Sequence, residues 1–165
     1  MIEKKHIIAI DFILVVGSLL LIAGIVGYTQ PLAIAPLNGF ETTDTAVLFE
    51  FEKAEVILID DNPDFSSPEE IYAKNDLVIN LKPGKYYWKL FGVGNSEVRE
   101  ITIVSEVDLK IRQAEDSDSY ELVNAGNTLL NIDIYNNSEL TNKIVLDVDR
   151  SREVSGTKFI GREHE

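Results

Sequence analysis

The sequence predicts an all-β protein of two modules carried on one amino-terminal membrane-spanning helix. Three observations lead there. Residues 7–28 form an apolar run interrupted by a single charge, Asp11. From Thr45 onward, apolar and polar residues alternate in short stretches with the period of a half-buried strand. Pro83-Gly84, "NAGN" and "NNSELTN" then break the chain at intervals that suit a sandwich of short strands. With 165 residues, 45% hydrophobic and 26% charged, the chain has the composition of a folded protein with a real core.

The first element is read from "MIEKKHIIAIDFILVVGSLLLIAGIVGYTQP". Ile7 to Tyr28 as a helix would reach about 33 Å, enough for a hydrocarbon layer of about 30 Å. Tyr28 suits the far interface and Pro31 a helix end. Lys4 and Lys5 precede the span and no basic cluster closely follows it, so the positive-inside bias puts residues 1–6 in the cytoplasm as a short tail. Residues 29–35 are expected to be a linker. The competing reading is a cleaved signal peptide, since Ala33-Ile34-Ala35 matches a small-x-small cleavage pattern. The length of the apolar run and Pro36 directly after that site favour retention. Ala23 and Gly27 have the small-xxx-small spacing that permits close helix packing, although glycine is common in membrane helices anyway. Asp11 is expected at the cytoplasmic interface near Lys4 and Lys5.

Outside the span the strands follow in order. "TAVLFEFE" puts Val47, Phe49 and Phe51 on one face; "EVILID" follows; "DLVINL" groups Leu77, Ile79 and Leu81. After Pro83-Gly84, Tyr86, Trp88 and Leu90 share a face, and Ile101 and Ile103 continue the pattern. The one helical candidate is a brief turn near "SPEEIYAK". Residues 36–104 resemble a fibronectin type III or related immunoglobulin-like β-sandwich. The resemblance rests on the strand succession and on Leu81, Pro83 and Gly84, which match that family's Leu-x-Pro-Gly element before a tyrosine-bearing strand. It implies a sandwich core and no particular activity. The family's usual tyrosine lies six positions after the leucine, which here is Tyr87, whereas the alternation selects Tyr86 as the inward ring.

Residues 105–165 read as a second, smaller β-module with a carboxy-terminal tail. Val107, Leu109 and Ile111 alternate against Asp108, Lys110 and Arg112; "YELV", "LLNIDIY", "KIVLDV" and "TKFIG" follow. "VNAGNTLLNIDIYNN" is similar to the Asn-x-Gly-Asn turns of envelope β-sandwich repeats. One larger sandwich shared by both halves is the alternative. Ser105 and Glu106 leave too short a link for free motion, so a rigid pair is expected.

Charge and residue inventory exclude several chemistries. Of 28 acidic and 15 basic residues, only Glu3 and Asp11 against Lys4 and Lys5 precede Tyr28, so the net charge of −13 belongs to the chain beyond the span. Such a surface repels phosphate backbones and argues against nucleic acid as partner. The absence of cysteine rules out disulfides, thiolate metal sites and a cysteine nucleophile. His6 falls in the cytoplasmic tail and His164 in the carboxy-terminal tail, which disfavours histidine-dependent catalysis or zinc. Asp60, Asn62 and Asp64 have the one-three-five spacing of a calcium loop, but Phe65 and Ile71 stand where that loop needs glycine and glutamate, so a solvated loop is favoured. Glu115, Asp116 and Asp118 read as a solvated turn. Asn136-Asn137-Ser138 is a glycosylation acceptor sequence in a turn on the outer side.

No cofactor is expected and no catalytic set emerges. The leading expectation is a non-enzymatic, single-pass protein of the cell envelope that presents β-modules to another envelope protein or a surface polymer. The alternative is a carbohydrate-binding module that uses Tyr72, Tyr87 or Tyr135 as stacking platforms.

Overall fold

The computed structural model describes residues 4–114 and 119–164. Glu115, Asp116 and Asp118 therefore lie outside the described residues. Helix α1, Lys4–Thr29, contains a stretch, Ala9–Thr29, that is long and apolar enough to cross a membrane, and its most apolar 18-residue window has no buried residue. Among the described residues, all that follows it is strand, turn and loop.

Strand β1, Leu32–Ala35, lies within the segment expected to be a linker. It pairs antiparallel with β3, Ala46–Glu52, and buries Ala33. Four residues without a turn signal between two prolines look like a tether in sequence, and only the neighbouring strand makes them part of a sheet. Between these two, β2, Phe40–Thr42, crosses to the opposite sheet. Strand β4, Ala54–Asp60, follows β3 after the single residue Lys53, whose φ is +59°. Strand β5, Glu69–Tyr72, replaces the helical turn expected at "SPEEIYAK". The correction has a tertiary cause: Glu69 to Tyr72 hydrogen-bond along the open edge of β4, from Ile59 to Val56, and an available edge overrides a weak local helix preference. The module closes with β6, Leu77–Asn80, β7, Gly84–Gly92, and β8, Arg99–Ile103.

These strands form two sheets, β1-β3-β6 and β2-β8-β7-β4-β5, antiparallel except for β2 beside β8. The predicted inward faces meet between them. Val47, Phe49 and Phe51 of β3 pack against Ile57, Ile59, Trp88, Leu90, Ile101 and Ile103. Phe49 and Trp88 make an edge-to-face pair with centroids 5.0 Å apart, an arrangement that adds to simple area burial. Tyr86 is half-buried on this core, and its hydroxyl donates to the Lys82 carbonyl at 3.0 Å. The alternation thus chose the inward tyrosine correctly.

The second module has its own core. Strands β9, Leu109–Gln113, β10, Tyr120–Asn124, and β13, Ser151–Val154, form one sheet; β11, Leu130–Asn136, β12, Glu139–Leu146, and β14, Lys158–Glu163, form the other. Leu122, Leu130, Ile132, Ile134, Ile144 and Leu146 are buried between them, with Leu109, Val154 and Phe159 at the margin. Val107 and Ile111, expected to be buried with Leu109, are exposed: Val107 precedes β9, and Ile111, although on the inward face opposite Leu122, lies on an edge strand of which only Leu109 reaches the core. Asn137 and Ser138 join β11 to β12 with φ of +49° and +73°, the pair of left-handed residues that matches the twist of a tight hairpin.

Candidate functional site

The acidic loop is organised by its own backbone. Asp60 is buried at the end of β4; one carboxylate oxygen accepts from the Asn62 amide at 3.1 Å and the other from the Ser67 amide at 2.9 Å. The Asn62 side-chain oxygen accepts in turn from the Asp64 amide at 3.0 Å. Phe65, where a calcium loop has glycine, takes a φ of +50° and lies under the Lys89 ammonium, 3.9 Å from its ring centroid. The Ser67 amide, more than any other group, holds the Asp60 carboxyl below its ordinary value of 3.8; burial opposes this and the Asn62 amide adds to it. Asp60 works here as a loop clasp, as short acidic side chains commonly do in turns.

The three candidate tyrosines are scattered. Tyr72 is 76% exposed on β5, with its hydroxyl donating to Glu70. Tyr87 is half-buried on β7 with Lys85 over its ring, and Tyr135 is half-buried on β11 with Lys158 over its ring. They do not form one platform. Asn136 is exposed where β11 enters its hairpin, and Ala23 and Gly27 are exposed on α1.

A polar surface lies on the outer face of β12-β11-β14, opposite the second core. Down its centre β11 presents Asn131 and Asp133, and beside them β12 contributes Lys143 and Val145 and β14 contributes Arg162. These residues line a groove of about 670 Å³. Asp133 is buried at its floor, paired with the Arg162 guanidinium and 3.6 Å from the Lys143 ammonium. A carboxylate so placed needs those cations, since an unpaired buried charge is costly. His164 was expected in a tail away from any module. It instead extends β14: its amide donates to the Leu129 carbonyl, and its Nδ1 lies 2.9 Å from the Asn131 side-chain oxygen. Sequence reading missed this face because its polar residues occupy the outward phase of ordinary alternation, where they look like solvent.

The "NAGN" turn serves a different purpose: it holds the modules together. Asn124 is fully buried, donates to the Thr128 and Leu146 carbonyls, and accepts from the Gly126 amide. Asn127 donates to the carbonyls of Thr43 and Val104 in the first module, while its side-chain oxygen accepts from the Glu106 amide. A side chain at Gly126 would run into the Glu106 carbonyl oxygen, so glycine is what lets the turn approach the link this closely.

Another strap works inside the first module. The Arg99 guanidinium donates to the carbonyls of Ala33, Ile34 and Pro36, tying the crossing between β1 and β2 to β8, and lies over the Trp88 ring. Among the described residues no group of three or more histidines and carboxylates is placed to hold a metal ion. No family model, no curated protein and no solved structure matches this chain.

Proposed function

We propose that this chain is a single-pass, non-enzymatic cell-envelope protein. Its amino terminus lies in the cytoplasm, and its β-modules present the Asp133 groove to another envelope protein or a surface polymer. The supporting observation is the placement of that groove. The helix joins the first module at the turn after β3, while the second module is attached beyond Ile103 and against Thr43, at the other end of the same strands. Seven residues of β3 separate the two ends by about 23 Å. The first module acts as a spacer and the second as the contacting end. Its charged, hydrogen-bonding groove suits a polar partner surface better than an apolar ligand.

The same reading takes residues 36–104 as fibronectin type III-like. The order β1-β3-β6 facing β8-β7-β4-β5 supports it, as does the Tyr86 hydroxyl reaching back to Lys82 after the Leu-x-Pro-Gly element. A carbohydrate-binding reading draws on one observation, Tyr135 on the same sheet face as Asn131 and Asp133, where a ring and hydrogen-bonding groups would both reach a sugar.

Site-specific photo-crosslinking tests the proposal. A photoreactive residue at Val145, 50% exposed at the groove, should give discrete adducts in intact cells, and one at Val78 on the first module should not. Absence of adducts from Val145, or equal adducts from both, sinks the proposed contact surface. Glycan-array binding lost on Tyr135→Ala would favour the carbohydrate reading.

A further inference from the structure

We propose that the helix-proximal end of the first module is a lipid-headgroup seat, in which Lys53 and Lys74 meet lipid phosphates and Val93 enters the interface below them. This rests on reading α1 as a membrane anchor.

Lys53 forms the turn between β3 and β4. Its ammonium donates to the Tyr28 carbonyl at 2.7 Å and stands 4.2 Å from the centre of the Tyr28 ring. That carbonyl belongs to the last turn of α1, at the negative end of the helix dipole, where carbonyls lack partners within the helix. The last turn of α1 has no basic residue of its own. The β-module supplies one, which fixes the level of the turn to the end of the span. An ammonium has three N–H groups and this bond uses one, so two remain for phosphate oxygens.

A second turn reaches the same level. At Gly92 a Cβ would come within 2.7 Å of the Lys53 carbonyl oxygen and 3.2 Å of Pro31 Cγ, so the chain after β7 lies directly against the exit of the helix. Val93 follows and is 78% exposed, the most exposed large hydrophobic side chain among the described residues. Lys74, from the turn after β5, joins Lys53, Tyr28 and Val93 around an open groove of about 620 Å³. Glu55 is the groove's acidic member, so it carries two cations to one anion in a protein whose net charge is −13. No carboxylate lies within ion-pair distance of Lys53 or Lys74 among the described residues. Amines, a tyrosine and an exposed aliphatic side chain at the end of a span are the groups that partition to a membrane interface. Anionic headgroups attract such lysines over a distance of about a Debye length.

The chain has no cysteine, so single cysteines can carry an environment-sensitive fluorophore. The full chain is reconstituted in vesicles of phosphatidylcholine, with and without phosphatidylglycerol, labelled in turn at Val93→Cys, Leu20→Cys and Asn136→Cys. Headgroup-spin-labelled lipid should quench the Val93 probe, more strongly with phosphatidylglycerol, and leave the Asn136 probe bright. Lipid spin-labelled deep in its acyl chain should quench the Leu20 probe. Adding Lys53→Glu and Lys74→Glu should abolish the extra quenching due to phosphatidylglycerol. A Val93 probe as bright as the Asn136 probe while Leu20 is quenched overturns the seat and leaves the anchor standing. An unquenched Leu20 probe overturns the anchor, and the seat with it. Quenching at Val93 that ignores both lipid charge and the lysine changes overturns the phosphate contacts.

Discussion

The first module is built around aromatic rings, with Phe49, Phe51 and Trp88 buried between five strands and three. The second packs only leucine and isoleucine at its centre, between two sheets of three strands, and leaves its aromatic pair, Tyr120 and Phe159, at the margin. The polar groups differ too. In the first module the fully buried side chains are apolar apart from the Trp88 indole N–H, which has no protein acceptor among the described residues. In the second, Asn124 is fully buried and stitches three strand ends together. A small core gains less from apolar burial, so hydrogen bonds that specify its turns carry proportionally more of its stability.

The sharpest test of that contrast is Trp88→Ala, which should leave a large cavity and destabilise the first module by about 3–5 kcal/mol. Trp88→Phe should cost less, because no hydrogen bond to the indole is lost. Tyr87→Ala, on the half-exposed face of the same strand, should cost only about 1 kcal/mol. Denaturant midpoints followed by circular dichroism rank the three; a heavier penalty at Tyr87 than at Trp88 would reverse the inward face of β7.

Asn124→Ala should destabilise the second module by roughly 2–3 kcal/mol, since it strands the buried backbone groups of Gly126 and Leu146 and the half-buried carbonyl of Thr128. Trp88 is the sole tryptophan and its emission reports the first module alone, so the two transitions can be followed separately. The expected result is an earlier circular-dichroism transition with an unchanged fluorescence midpoint. A fluorescence midpoint that moves equally would show that the Asn127 junction makes the pair one cooperative unit.

The smallest effect is expected at Asp60. Its carboxyl is held below the ordinary value, chiefly by the Ser67 amide, so the ionised form favours the folded state. That contribution is complete above the unfolded value near 4 and is lost as pH falls through the depressed folded value. Asp60→Asn should therefore lower the first module's stability slightly near neutrality and leave it almost unchanged at low pH, which flattens the acid limb of the stability curve read by Trp88 emission. Micromolar calcium should leave the midpoint unmoved; a rise that disappears in Asp60→Ala would make the loop a metal site after all.

Residue order alone was enough for the apolar helix, the all-β architecture beyond it and the inward phase of β3 and β7. Residues such as Val47, Phe49, Trp88 and Leu90 state their side by a period of two, and that period survives folding because both sheets bury one face. Folding in three dimensions added what local pattern does not encode. Leu32–Ala35 and Glu69–Tyr72 became strands because neighbouring edges were open to them. Ile111 stayed on the inward face, opposite Leu122, but lies uncovered because its strand is the sheet edge. Asp133 and Arg162 met in one groove, and His164 reached Asn131, because antiparallel register brought β11 and β14 side by side. Lys53 reached the end of α1 across 25 residues of sequence. Each of these depends on contacts between segments far apart in the chain, and such contacts leave no periodic trace in either partner.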